Sequence, residues 1–201
     1  MKPGIDANPP IAPPPGCDHM VQFYDDAEFL CRTAADFLAQ GILAGQPALV
    51  IATAANSAAI ADYLANQEID VETLREQGRY ASFDADALLP RIMAGSMPDP
   101  QLLQAIVGGA IEKILHAGNG HVRIYGEMVN VLWRQGNSAA ALHLEKFVNE
   151  LTATHSCSVL CGYRMEGFHG EAGARGFAQI CALHRQVLPA EARPANGPRS
   201  S

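Results

Sequence analysis

The sequence predicts a three-layer α/β domain with a mainly parallel central sheet that is flanked by helices. Helical patterns alternate with short apolar runs along most of the chain, which is typical of a parallel sheet covered by helices. Runs such as PALVIAT (47–53) are almost continuously apolar, as expected for strands that are buried on both faces. The chain has 201 residues, enough for one such domain with a large core and too few for a second.

The first half of the chain is predicted to contribute two helices, two strands and a short helical segment. Capping residues, helical spacing and apolar runs place them in this order: a helix from Asp25 or Asp26 to Gly41, a strand over 47–53, a helix capped by Asn56 or Ser57 and running through Leu64, a strand over 79–83, and a short helical segment that ends near Gly95.

The second half begins with the clearest helix. Asp99 is a capping residue, Pro100 occupies the favoured first position, and apolar residues repeat at helical spacing until Gly118. The same reasoning predicts a strand over 121–127, a short helix over 128–134, a helix over 137–152, a strand over 157–163 and a helix over 176–187.

Both ends of the chain differ in composition from this pattern. Residues 1–17 are rich in proline and are expected to form a disordered arm, because proline cannot maintain a hydrogen-bonded ladder. Residues 189–201 are expected to form a similar disordered tail. The predicted domain therefore covers residues 18–188.

Charge and hydropathy exclude several classes of function. The formal net charge is −7, which disfavours direct binding to nucleic acid or to anionic lipid surfaces. No stretch approaches the ~18 apolar residues of a membrane span, and the N-terminus does not resemble a signal peptide. The five cysteines follow no disulfide framework. We therefore expect a cytoplasmic protein with reduced thiols and no membrane association.

Ligands of open α/β sheets bind outside the carboxyl ends of the strands. The turn after the first predicted strand, ATAANSAAI, starts with Thr53 and Asn56 among its first polar residues. It occupies the place of a phosphate-binding loop but has no glycine to wrap a phosphate and no lysine to neutralise one. The sequence therefore predicts a degenerate phosphate-binding loop and disfavours nucleotide hydrolysis.

A polar row lies on the strand over 121–127. Residues two apart share a face of a strand, so Arg123, Tyr125 and Glu127 are expected to point the same way. The guanidinium and the carboxylate could pair across a ligand pocket, or they could form an ordinary ion pair at the sheet end. The sequence leaves both interpretations open.

The remaining candidates are single residues. His19 and Tyr24 belong to an aromatic cluster before the first helix, which could cover the core or line a cavity, and Trp133 could be a core residue or a ligand contact. The histidines and cysteines lack metal-binding spacing, so neither a metal nor another cofactor is expected. No catalytic motif is present either, and we expect a protein that is not an enzyme.

Four segments resemble the MEDS sensory domain family, named for the methanogen/methylotroph DcmR sensor. They are HMVQFYDDAEFL (19–30), GILAGQPALVIAT with its following helix (41–64), RIYGEMVNVLWRQGNSAAALHLEKFVNEL (123–151) and SVLCGYRMEGF (158–168). The resemblance implies a RecA- or KaiC-like fold without a working P-loop. It also implies the sensing of small, often hydrophobic or halogenated compounds, in proteins commonly attached to histidine kinases or DNA-binding regulators.

The sequence thus predicts a non-catalytic sensory domain of bacterial signal transduction. It would bind a small organic ligand near the strand ends and signal through a histidine kinase or a transcriptional regulator, with homodimerisation as a further option. The alternatives are a ligand-free interaction scaffold and a nucleotide-binding protein without hydrolysis. The candidate ligand-binding residues are His19, Tyr24, Thr53, Asn56, Arg123, Tyr125, Glu127, Met128, Trp133 and Tyr163.

Overall fold

The computed structural model of the chain describes residues 19–189 and contains a six-stranded parallel sheet. The strands of the chain are β1 (His19–Tyr24), β2 (Ala48–Ala52), β3 (Tyr80–Asp84), β4 (Met93–Ala94), β5 (Met97–Pro98), β6 (Val122–Gly126), β7 (Cys157–Arg164) and β8 (Gln186–Val187). The large sheet has the order β3-β2-β6-β7-β1-β8, and all its pairs are parallel. β4 and β5 form a separate antiparallel pair.

Helices connect the strands and cover both faces of the sheet. They are α1 (Ala27–Leu43), α2 (Ala54–Asn66), α3 (Val71–Glu76), α4 (Ala85–Ile92), α5 (Pro100–Leu103), α6 (Gly109–Leu115), α7 (Met128–Arg134), α8 (Ser138–Thr154) and α9 (Gly170–Leu183). A π-helical turn, Gln104–Gly108, joins α5 to α6. The side chains of Asp26, Asp99 and Asn137 accept hydrogen bonds from backbone amides at the starts of α1, α5 and α8, as their capping preference predicts.

The hydrophobic core has one part on each face of the sheet. α1, α2 and α3 cover one face with residues such as Leu30, Phe37 and Ile60. α4 to α9 cover the other face, with residues such as Ile111, Leu144 and Ile180. This three-layer arrangement confirms the predicted fold class and the mainly parallel sheet.

Several elements differ from the sequence-based prediction. The predicted aromatic cluster at His19–Tyr24 is a fully buried strand, β1. The last helix starts at Gly170 rather than at residue 176, and it ends at Leu183 before the short strand β8. The helix predicted over 100–118 is interrupted by the π-helical turn. Helix α3, with Asp70 as its cap, was not predicted.

The proposed disordered arm over 1–17 lies outside the described residues, and so does the proposed tail apart from Pro189. Between residues 19 and 189, none of the helices has the length and apolar character needed to cross a membrane.

Candidate functional site

The carboxylate of Glu127 lies directly after β6 and accepts three hydrogen bonds. Its Oε1 accepts from the backbone N–H of Thr53. Its Oε2 accepts from Asn56 Nδ2 at 2.7 Å and from the Tyr125 hydroxyl at 3.1 Å. Glu127 is completely buried. The structure therefore brings together four of the predicted site residues: Thr53, Asn56, Tyr125 and Glu127.

Glu127 supplies a negative charge at the N-terminus of α2. Thr53 precedes this helix, and its own side chain makes no capping hydrogen bond. Helix N-termini attract anions because their amides are unpaired and the helix dipole is positive there. In this protein a carboxylate of the same chain accepts from the backbone N–H of Thr53 at that helix start.

A second polar contact lies near this carboxylate. Asn130 Nδ2 donates to the Tyr24 hydroxyl at 3.1 Å, and Asn130 Oδ1 accepts from the backbone N–H of Arg164 at 3.1 Å. Burial and the charge of Glu127 raise the pKa of Tyr24 to about 12 and hold the pKa of Tyr125 well above its ordinary value. Both hydroxyls are therefore protonated at neutral pH. Sequence analysis did not single out Asn130.

Arg123 lies at the opposite end of β6 from Glu127. Its Nε donates to Gln46 Oε1 at 2.8 Å, and its guanidinium carbon lies 4.8 Å from the centre of the Phe37 ring. Within residues 19–189 it forms no ion pair with Glu127. The ion pair expected from the sequence is therefore wrong, because the two residues are four positions apart on an extended strand. A ligand contact by either residue stays a prediction.

Trp133 and Tyr163 belong to an aromatic group that packs against α9. Trp133 stacks on Phe168 with ring centres 4.8 Å apart and donates from Nε1 to the carbonyl of Gly167 at 3.1 Å. Tyr163 contacts Trp133 and Phe168 edge to face. These contacts make both residues part of the packing between α7, β7 and α9.

An apolar cavity lined mostly by buried side chains lies between the sheet and the helices of its second face. Its volume is about 40 Å³. β2, β6 and β7 form one wall, and the π-helical turn with α6, α7 and α8 forms the other; the lining includes Ile51, Val107, Ile124, Met128, Leu144, Val159 and Cys161. Met128 is the only one of the ten candidate residues that lines this cavity.

A second depression, open to solvent, lies at the carboxyl ends of β2 and β3. It has a volume of about 310 Å³ and includes Ser57, Arg75 and Asp84 in its lining. It is larger than the apolar cavity, but it is more open and more polar, so bound molecules there would keep more contact with water. An apolar ligand gains most free energy where water is excluded, so the smaller cavity is the better candidate for such a ligand.

His19 lies in a buried cluster with Glu145, Cys161 and His184, and Cys161 also lines the apolar cavity. One ligand-type atom from each of the four side chains lies within 4.8 Å of the other three. The residues come from β1, α8, β7 and the end of α9, so no local spacing in the sequence connects them. Glu145, Cys161 and His184 were not among the predicted site residues for this reason.

Residues 18–185 match the family described as the MEthanogen/methylotroph, DcmR Sensory domain, MEDS. The chain belongs to the MEDS family. The fold of this MEDS domain is similar to the crystal structure of KaiC-like protein PH0186 from Pyrococcus horikoshii OT3. That similarity has a TM-score of 0.57 at 13% sequence identity and covers 86% of this chain and 71% of that chain. The likeness confirms the RecA/KaiC-like fold. No curated protein matches the sequence.

Proposed function

We propose that this MEDS domain is a non-catalytic sensor that binds a small apolar organic molecule in the apolar cavity. The bound domain would then change its contact with a signalling partner, a histidine kinase or a transcriptional regulator. The observation that carries the proposal is the cavity itself, which is lined by apolar side chains on the second face of a sensory-family domain.

The size of the cavity limits the ligand class. A cavity of roughly 150 Å³ holds a benzene molecule, whereas this one has about 40 Å³. It therefore suits a molecule of a few heavy atoms, such as a one-carbon halocarbon. A polar or charged molecule would lose its hydration there without gaining hydrogen bonds.

The π-helical turn offers a route by which occupancy could change the outer surface. Val107 belongs to this turn and lines the cavity, whereas Ala105 in the same turn is exposed. π-Turns are rare and often occur at functional sites. A ligand that contacts Val107 would favour one arrangement of the turn over another, and that differential contact is what shifts a conformational equilibrium.

The geometry around Glu127 supports a role without nucleotide. The N-terminus of α2 already faces a buried carboxylate. A phosphate placed beside Glu127 would meet a like charge in a low-dielectric setting. We therefore expect no heat when ATP or GTP is titrated into the protein, and a clear binding isotherm would favour the nucleotide-binding alternative.

Calorimetric titration with dichloromethane in a sealed cell tests the proposal. We expect saturable binding to the wild type and at least tenfold weaker binding to Val107→Phe, whose ring would fill the cavity. Val71→Phe is the matched control, because Val71 is a similarly buried valine (8% exposed, against 6% for Val107) that packs on the other face of the sheet. This control should bind like the wild type.

Two results would count against a sensor of small apolar molecules. One is the absence of saturable binding for dichloromethane, chloroform and other molecules of a few heavy atoms, which would favour a ligand-free interaction scaffold. The other is equal loss of binding in Val107→Phe and Val71→Phe, because that result would place the ligand outside the cavity or attribute the loss to general destabilisation.

A further inference from the structure

We propose that His19, Glu145, Cys161 and His184 form a binding site for one divalent transition-metal ion, with zinc as the ion that best fits the donor set. The site is distinct from the Glu127 carboxylate. It shares Cys161 with the lining of the apolar cavity, but the argument for it does not depend on the proposed sensing of apolar molecules. All four residues are buried, with at most 8% of any of them exposed.

Four of the six distances among the donor atoms are close to those of a small coordination polyhedron, and the other two are at most 4.8 Å. Glu145 Oε2 lies 3.1 Å from His19 Nε2, 3.4 Å from His184 Nε2 and 3.6 Å from Cys161 Sγ. His19 Nε2 lies 3.3 Å from Cys161 Sγ. Zinc bonds of 2.0–2.3 Å place neighbouring tetrahedral ligand atoms about 3.3–3.6 Å apart.

Both imidazoles direct the same ring nitrogen toward the centre of the cluster. His184 Nδ1 lies 2.7 Å from the carbonyl oxygen of Ile180, which can only accept, so this nitrogen carries a proton. His19 Nδ1 lies 3.1 Å from Asn149 Oδ1, and Asn149 is oriented by its own donation to the Leu183 carbonyl at 2.9 Å. An outer hydrogen bond from Nδ1 that leaves Nε2 for the ion is the usual arrangement of metal-binding histidines.

With the proton on Nδ1 in both histidines, the centre of the cluster contains more lone pairs than hydrogen-bond donors. Two neutral imidazoles would each direct an Nε2 lone pair at the Glu145 carboxylate, which is an acceptor itself. Both ion pairs of Glu145 within the described chain are with these two histidines. A positive charge, either added protons or a metal ion, must therefore compensate the carboxylate. A cation bound by the four donor atoms satisfies both Nε2 lone pairs and the Oε2 oxygen of Glu145 at once.

Cys161 would join the site as a thiolate. Burial and the neighbouring Glu145 carboxylate raise the pKa of the free thiol well above its ordinary value, so the thiol is protonated when the site is empty. Metal binding breaks the S–H bond, the sulfur keeps the electron pair for the ion, and the proton passes to solvent. The imidazole rings, whose centres are 3.9 Å apart, must separate slightly as the ion enters.

The chemistry of the donors selects the class of ion. A thiolate and two imidazoles favour zinc, cobalt(II) and similar ions over magnesium or calcium, which prefer oxygen ligands. The ion would connect β1, β7, α8 and the end of α9. These contacts would tie the first described strand to the last helix, so we expect metal to raise the thermal unfolding temperature.

Cobalt(II) titration of metal-free protein tests the site. We expect one equivalent per chain, visible bands of tetrahedral intensity, a thiolate-to-cobalt charge-transfer band in the near ultraviolet, and displacement of both by zinc but not by magnesium. Cys161→Ser should abolish the charge-transfer band and weaken binding at least 100-fold. Cys181→Ser and Cys17→Ser should keep the band, and His116→Ala, which replaces an exposed histidine, should bind normally.

A variant of the residue that positions His19 distinguishes a metal site from a cluster that is held together only by packing. Asn149→Ala removes the acceptor for His19 Nδ1 and leaves all four ligands in place, so we expect affinity to fall about 10–100-fold while the charge-transfer band persists at saturating cobalt. Wild-type protein that binds no cobalt or zinc, or that binds them without a thiolate band, would overturn the proposal in favour of a protonated histidine–glutamate network. Equal binding by wild type and Cys161→Ser would do so too.

Discussion

The substitution Glu127→Gln tests whether the buried carboxylate stabilises the fold as an anion at the start of α2. The side chain keeps its shape, but one acceptor oxygen becomes an NH₂ donor. The backbone N–H of Thr53 cannot reverse its direction, so the carbonyl oxygen of the introduced amide must face it. The NH₂ group then faces Asn56 and Tyr125, whose present hydrogen bonds to Glu127 would both be lost or reversed.

The expected cost follows from these contacts. A hydrogen bond to a charged group contributes about 1.5–3 kcal/mol and a neutral one about 0.5–1.5 kcal/mol, so the weakening of three bonds costs about 3 kcal/mol. The carboxylate is better hydrated than an amide in the unfolded chain, which offsets part of this cost. We expect Glu127→Gln to lower the free energy of unfolding by about 1–3 kcal/mol. Glu127→Ala should cost more, because it leaves all three donors unpaired.

Urea unfolding followed by circular dichroism at pH 7 measures these differences. Glu72→Gln is a suitable control because its ion pair with Arg75 is exposed, and it should unfold like the wild type. Tyr125→Phe removes one donor, and a double-mutant cycle with Glu127→Gln should give a coupling energy of about 1 kcal/mol. If Glu127→Gln and the wild type have the same free energy of unfolding, the carboxylate does not stabilise the start of α2.

Three further predictions concern packing, alkaline pH and cavity size. Gly176→Ala should destabilise the protein by about 1–3 kcal/mol, because the new Cβ would lie 2.2 Å from Trp133 Cη2. The control Gly109→Ala, where no atom lies within 4 Å of the new Cβ, should stabilise the protein by about 0.5–1 kcal/mol. Equal effects of the two substitutions in chemical denaturation would contradict the packing of Gly176 against Trp133. Burial raises the pKa of Tyr80 from 10.0 to about 12, so its contribution to stability should be complete below pH 10 and lost as the pH rises from 10 through 12. In Tyr80→Phe, the free energy of unfolding measured in urea should therefore fall less steeply over that pH range. The same slope in the wild type and the variant would refute the raised pKa of Tyr80. Leu144→Ala should lower the free energy of unfolding by about 3–5 kcal/mol and enlarge the cavity enough to bind benzene. Calorimetry would detect this binding, with the wild type as the non-binding control. Failure of the variant to bind benzene would show that the enlarged space collapses.

The fold was predictable where burial and local signals agree. β2 is continuously apolar because helices cover both of its faces, and Asp99 followed by Pro100 marked the start of α5. The last helix was placed too late because Gly170 and Gly173 lower helix propensity. Gly173 is nevertheless required, since a Cβ there would lie 2.3 Å from the backbone of Phe168.

The candidate site was predictable only in part. The turn after β2 pointed to Thr53 and Asn56, the polar row on β6 pointed to Glu127, and the structure brings these three residues together. Residues that share a strand face can still lie at opposite ends of the sheet, which is why Arg123 and Glu127 do not pair. The cluster around Glu145 depends on tertiary contacts among β1, α8, β7 and the end of α9. Such contacts produce no periodic pattern in the sequence.

A crystal of the protein pressurised with xenon tests the central claim most directly, because xenon occupies dry apolar cavities and its position can be located from its anomalous scattering. The account predicts one well-occupied xenon atom in contact with Val107, Leu144 and Val159, and its absence from crystals of Val107→Phe. Xenon bound only at the protein surface, or an empty cavity at full pressure, would contradict the claim that this space receives a small apolar ligand.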